Sequence, residues 1–219
     1  MDTVKFTHLK NCDEEDIELL ERLSFDYADG TGHRVLELLG KLEDSSCGLQ
    51  VTRLSHSLQS GTRAWLDGAD NDWVVAAVLH DIGDLYAPFN HDEYAALILK
   101  PFVREQCTKT VQFHGDFQKY YYNDKIGKDR NVRERYKESI YFDDCVDFCE
   151  RWDQNCFDPS YKYFPIDFFK PIVLDVFSRP PYDPKRIQPG IRMPLVDPNQ
   201  SLARKASRSK SPESYRQNS

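Results

Sequence analysis

The sequence predicts an all-α fold, a single helical bundle followed by a C-terminal tail. Apolar residues recur at helical spacing along most of the chain, and no alternating pattern is long enough to build a β-sheet. Short breaks rich in Gly, Asp and Asn separate the helical segments. The chain of 219 residues is long enough to bury one core. We therefore expect one helical domain over residues 1–184 and a tail over residues 185–219.

The predicted helices follow one another with short connections. The first has an acidic first turn, which favours a helix N-terminus. The segment WVVAAVLHDIG is apolar almost all round, so its helix should lie at the centre of the bundle. Asn71 and Asp72 can cap its start, and Gly83 suits its end. The predicted helices cover about residues 13–26, 34–42, 49–66, 72–82, 90–99, 139–153 and 168–177, with another around His114.

The charge is unevenly distributed along the chain. Residues 185–219 contain eight basic and two acidic side chains, although the whole chain has a net charge of -7. This basic, serine-rich tail has few apolar residues to bury, so we expect it to be disordered. It is also a candidate site of contact with a partner. The acidic body argues against nucleic acid as the main partner.

The composition predicts a cytoplasmic protein. The N-terminus lacks the basic and then apolar stretches of a signal peptide. No apolar run approaches the roughly 20 residues that span a bilayer, so we expect no transmembrane segment. The six cysteines show no CxxC pair and should stay reduced.

Side chains of metal-binding type recur on the predicted helices. The six candidates are His56, His80, Asp81, His91, His114 and Asp153. Neighbouring residues point about 100° apart on a helix, so the pair His80 and Asp81 can converge only near a helix end, which Gly83 supplies. Burying an unpaired imidazole and carboxylate costs on the order of several kcal/mol. We therefore expect a metal ion or a hydrogen-bonded partner beside them. This donor set suits iron or manganese.

Four segments carry a resemblance to a known family. The segment HSLQSGTRAWLDGADNDWVVAAVLHDIGD resembles the HD-domain superfamily, whose metal signature is a His, a His-Asp pair and a distant Asp. NHDEYAALILKPF, QFHGDFQKYYYN and YFDDCVDFCERWDQ resemble further segments of its mixed-valence di-iron oxygenase branch, the myo-inositol oxygenase and organophosphonate oxygenase type. The resemblance covers about residues 48–158, the expected metal core of an HD-domain bundle.

The resemblance implies two metal ions with a shared ligand. The first would be held by His56, His80, Asp81 and Asp153, and the second by His91 and His114, with Asp81 bridging. The implied cofactor is an Fe(II)/Fe(III) pair, and the implied reaction is an O2-dependent oxidative cleavage of a C-C or C-P bond in a small hydroxylated polar substrate. No protein group beyond the metal ligands is assigned as catalytic.

Two other functions remain open on the same fold. A metal-dependent HD phosphohydrolase would act on a nucleotide or another phosphoester, with manganese or zinc in place of iron. A binding or regulatory module would keep the fold without catalysis and use the basic tail. The histidines His91 and His114 favour the oxygenase over a hydrolase with a single metal.

Four further residues are candidates for contact with the substrate. Gln118, Lys119 and Arg151 lie near predicted metal ligands and could hold an anionic group. Asp84 stands where the family often carries Lys or His, four positions after His80. An acid at that position favours a neutral or cationic part of the substrate beside it.

Overall fold

The structure, a computed structural model, describes residues 2–44 and 48–210. Helices and turns make up these residues, with no β-strand among them, as the sequence predicts. The α-helices in this part of the chain are α1 (Glu14–Asp29), α2 (Thr31–Gly40), α3 (Arg53–Leu66), α4 (Asn71–Leu79), α5 (His91–Leu99), α6 (Glu105–Gln118), α7 (Phe142–Phe148), α8 (Ile166–Phe177) and α9 (Pro198–Lys210).

The helix α4 is the centre of the bundle, as its all-apolar sequence predicts. Its side chains from Trp73 to Leu79 are 0% exposed. The helices α3 and α8 pack against it. A Cβ atom at Gly61 of α3 would lie 2.2 Å from Val78 Cγ2, so only glycine allows α3 to approach α4 this closely. This contact sets the distance between the first two helices that carry site residues.

Side-chain caps fix the starts of α3 and α4. The Thr52 hydroxyl accepts a hydrogen bond from the Ser55 N–H at 3.0 Å, and the Asp70 carboxylate accepts one from the Trp73 N–H at 3.1 Å. Such caps satisfy N–H groups that the helix itself leaves unpaired. The caps therefore fix the first residues of the two helices, Arg53 in α3 and Asn71 in α4.

Two elements differ from their predicted form near the site. The helix predicted to reach residue 82 ends at Leu79, and a 3-10 turn spans Ile82–Leu85. The helix predicted over 139–153 begins at Phe142 and continues beyond Phe148 as a π-helical turn, Cys149–Asp153. The wider π turn rotates the residues at its end relative to an α-helix, and such turns are frequent at functional sites.

The segment 185–210 is packed against the bundle, which differs from the disordered tail predicted over 185–219. Its Leu195 is 5% and its Ser201 is 7% exposed. The Arg204 guanidinium donates hydrogen bonds to the carbonyl oxygens of Trp65 and Ala69 at 2.8 and 2.9 Å. The Trp65 carbonyl lies in the last turn of α3, where a cation is favourable, and the Ala69 carbonyl lies in the turn that follows. Residues 211–219 of the predicted tail lie outside the described part of the chain.

The chain reverses direction at Gly68, directly under the start of α9. Gly68 has a φ of +85°, and a Cβ atom there would lie 2.3 Å from the Asp197 carbonyl oxygen. The Asp197 N–H also donates to the Asp67 carbonyl oxygen at 3.0 Å. The close approach joins α9 to the turn between α3 and α4.

Within the described residues, no helix has both the length and the apolar character needed to cross a membrane.

We predict that Gly68→Ala destabilises the protein more than Gly127→Ala. Both glycines have positive φ, +85° and +70°, so both substitutions carry a backbone cost of about 1–2 kcal/mol. Only at Gly68 does the added Cβ also meet α9, which should cost about 1–3 kcal/mol more. Urea unfolding measures the difference in free energy. An equal loss of unfolding free energy in the two variants would show that α9 does not contact the turn in solution.

Candidate metal centre

The structure brings the six predicted metal-binding side chains together at one end of α4. Each comes from a different stretch of the bundle, apart from the adjacent His80 and Asp81. His56 lies on α3, His80 and Asp81 follow α4, His91 begins α5, His114 lies on α6, and Asp153 ends the π turn. These residues form groups of three. Within each group, every residue offers one nitrogen or oxygen atom, and these atoms lie within 4.8 Å of one another.

The first group contains two imidazoles and two carboxylates. His56 Nε2 lies 3.0 Å from His80 Nε2. Asp81 Oδ2 lies 3.3 Å from His56 Nε2 and 3.5 Å from His80 Nε2. Asp153 Oδ1 lies 3.4 and 3.7 Å from the same two nitrogen atoms. Four donor atoms therefore face one another around a small volume.

The second group contains two imidazoles and the other oxygen of Asp81. His91 Nε2 lies 3.3 Å from His114 Nε2. Asp81 Oδ1 lies 3.4 Å from His91 Nε2 and 3.1 Å from His114 Nε2. The Asp81 carboxylate thus presents Oδ2 to the first group and Oδ1 to the second, which is the arrangement of a bridging ligand.

Three of the four imidazoles are oriented through their other ring nitrogen. Nδ1 of His56, His80 and His114 lies 3.1, 2.8 and 2.6 Å from the carbonyl oxygens of Cys156, Ala77 and Val111, respectively. A carbonyl oxygen accepts only, so Nδ1 carries the hydrogen and donates it in all three cases. Their Nε2 atoms are left to face the centre. Metal-bound histidines are usually oriented in this way.

The donor atoms are spaced as the ligands of a metal ion. Ligands at about 2.0–2.2 Å from a metal stand about 2.9–3.6 Å from one another. The distances between donors in the two groups run from 3.0 to 3.7 Å. Nε2 lone pairs repel one another and the carboxylates, so a proton or a cation must lie between them. The set of nitrogen and oxygen donors fits iron or manganese.

The carboxylates dominate the electrostatics of the cluster. Burial lowers the pKa of His56, but the hydrogen bonds to Asp153 and Asp81 and their charges outweigh it and raise the pKa to about 10. Burial also lowers the pKa of His114, and Asp81 raises it to about 9. Burial alone would raise the pKa of Asp81, but the neighbouring imidazoles bring it well below its usual range. The centre strongly favours bound positive charge.

The cluster is sealed on one side and open on the other. The side chains of His56, His80, His114 and Asp153 are 0–3% exposed, whereas His91 is 23% and Asp81 is 12% exposed. The Phe157 ring stacks on the His56 ring at 4.6 Å between centroids and covers the first group. A small molecule can therefore approach the second group more easily than the first.

The four predicted substrate-binding residues occupy different surroundings. Gln118 donates hydrogen bonds to both oxygens of Asp153 at 2.7 Å, so it contacts a candidate ligand directly. Lys119 forms an ion pair with Asp116 at 2.6 Å. Arg151 is exposed. Asp84 is paired with Arg53 and lies 3.5 Å from His91 Nδ1. A substrate contact stays a prediction for all four.

The sequence interpretation missed Arg53 and Phe157. Arg53 lies three residues before His56, so both side chains project from one face of α3. That spacing is a signal that could have drawn attention to it. Phe157 follows Asp153 in an irregular loop, where sequence spacing does not indicate direction.

Comparison with known proteins provides one relative at low identity. No family model matches the chain. The chain is similar to a 1-hydroxy-2-(trimethylamino)ethylphosphonate dioxygenase (glycine-betaine-forming) from Leisingera caerulea, with 28% identity over 102 residues. The match covers 39% of this chain and 52% of the relative, so it spans about half of the relative's length. The relative is an oxygenase, in line with the resemblance of the sequence motifs, while membership of the HD-domain superfamily stays a prediction.

Proposed function

We propose that the protein is a di-iron, O2-dependent oxygenase that cleaves a C-C or C-P bond of a small hydroxylated polar substrate. One observation carries the proposal, the division of the Asp81 carboxylate between two pairs of imidazoles. Oδ2 faces His56 and His80, and Oδ1 faces His91 and His114. A carboxylate in this position can hold two cations, which two-metal sites place about 3.5–4 Å apart.

The two groups of donors have different roles in this proposal. The first metal would be held by His56, His80, Asp153 and Asp81, which together with the cover of Phe157 leave it little access to solvent. The second would be held by His91, His114 and Asp81 and keeps more open positions. An Fe(II)/Fe(III) pair, when bound, supplies the oxidative chemistry. The protein positions the substrate and excludes water around the first metal.

The similarity to a phosphonate dioxygenase supports this choice of reaction over phosphoester hydrolysis. That relative acts, by its name, on a hydroxylated phosphonate that also carries a trimethylamino group. In this chain His91 is 23% exposed, so a substrate hydroxyl would reach the second metal from that side. Bond cleavage at a hydroxyl-bearing carbon is therefore the proposed reaction, and the donor set itself also accommodates manganese or zinc.

We predict that the protein binds about two iron ions per chain and that His91→Ala binds about one. His91 belongs to the second group only, so its loss should spare the first metal. Metal analysis after anaerobic loading measures the number, and EPR after partial reduction reports a coupled mixed-valence pair. His33→Ala is the control, because His33 is exposed and lies outside both groups.

The same samples test the reaction. Oxygen consumption with a hydroxylated phosphonate or polyol should occur in the wild type and the His33 variant and be lost in the His91 variant. Release of phosphate from a nucleotide without oxygen, with zinc or manganese bound, would overturn the oxygenase proposal in favour of a phosphohydrolase. Unchanged metal content in His91→Ala would show that the second group is not a metal site.

We predict that metal binding releases protons and strengthens as the pH rises. His56 and His114, with pKa values of about 10 and 9, hold protons at neutral pH that a metal ion must displace. Each belongs to one metal group, so the affinity for each metal should rise about tenfold per pH unit from pH 6 to 8 and level off above pH 9–10. Calorimetry in buffers of different ionisation enthalpy counts the protons. Binding without proton release at pH 7 would contradict the charge balance described for the cluster.

A further inference from the structure

The short turn after α4 faces both ring nitrogens of His91. Asp81 Oδ1 lies 3.4 Å from His91 Nε2, and Asp84 Oδ1 lies 3.5 Å from His91 Nδ1. The two acids belong to one turn, in which the Asp84 N–H donates to the Asp81 carbonyl oxygen at 3.0 Å. One turn of the backbone therefore places a carboxylate on each side of the same imidazole.

The Asp84 carboxylate is itself held in place by Arg53. The two side chains form an ion pair, with Asp84 7% and Arg53 23% exposed. Arg53 begins α3, one helical turn before His56. The ion pair consequently joins the helix that carries a ligand of the first group to the turn that faces a ligand of the second.

The backbone of this turn also fixes the position of His91. A Cβ atom at Gly83 would lie 2.3 Å from the His91 carbonyl oxygen and 2.7 Å from its Cα atom. The turn thus lies directly against the first residue of α5, with no space for a side chain between them. The place of His91 depends on this turn as well as on α5.

We propose that Asp84 is a positioning residue for the second metal and that Arg53 holds it in that role. The inference rests on the proposed two-metal function. In this role the Asp84 carboxylate, 3.5 Å away, would accept the hydrogen of His91 Nδ1 and leave Nε2 for the metal. It does for His91 what backbone carbonyl oxygens do for the other three histidines. Arg53 offsets the charge of Asp84, so the open side of the site gains no extra negative charge that would repel an anionic substrate.

The test compares Asp84→Asn and Arg53→Gln with the wild type in anaerobic titrations with Mn(II) and with Fe(II). We expect both variants to bind the first metal with unchanged affinity and the second about 10–100-fold more weakly. Arg53→Lys keeps the charge and should recover most of the second affinity. Glu93→Gln is the control, because it removes an exposed carboxylate two residues from His91. Thermal unfolding of each metal-free variant checks that the fold is kept.

Three outcomes would overturn the inference in different ways. Wild-type affinity for both metals in Asp84→Asn, together with a raised KM, would make Asp84 a substrate contact. Equal weakening of both metals in Asp84→Asn and in Arg53→Gln would make the ion pair a general structural link. A wild type that binds only one metal would overturn the proposed two-metal function itself, before the variants are compared.

Discussion

The Asp81 carboxylate lies between two pairs of imidazoles, and much of the fold serves to place it there. An ionised carboxylate that is nearly buried is very unfavourable unless positive charge compensates it. Protons on the neighbouring histidines supply that charge, or a metal ion bound by them does. The attraction between the carboxylate and the protonated imidazoles lowers the pKa of Asp81 and raises the pKa of His114 to about 9. The bundle can bury these polar side chains only because they lie together and compensate one another's charge.

The end of α4 makes this meeting possible. His80 still has helical backbone angles, but Asp81, with φ of -101° and ψ of 11°, has left the helix. The change turns two adjacent side chains toward one centre, and the apolar body of α4 holds that end deep in the protein. The helices α3, α5 and α6 then need to contribute only one ligand each, at positions set by packing against α4 or its following turn.

The sequence predicted the fold class, the central helix and the six side chains that converge, because these depend on helical periodicity and on residue type. It did not predict the π turn that ends at Asp153, since no residue pattern marks a switch from α to π winding. It also failed for the segment 185–210. A basic composition predicts disorder, but this segment is held by polar contacts, such as the two hydrogen bonds between Arg192 and Asp144, that composition does not reveal.

The two groups of donor atoms are unequal in a way that bears on the proposed reaction. The first has four protein donors, almost no exposure and an aromatic cover, so its geometry is fixed by packing. The second has three protein donors and its histidine His91 is partly exposed. A ligand from solvent can therefore approach the second group, where the proposed orientation of His91 depends on a turn and an ion pair. A change in the Arg53–Asp84 pair can thus alter the second, more accessible group of donors. The first, buried group is fixed by the core and stays unchanged.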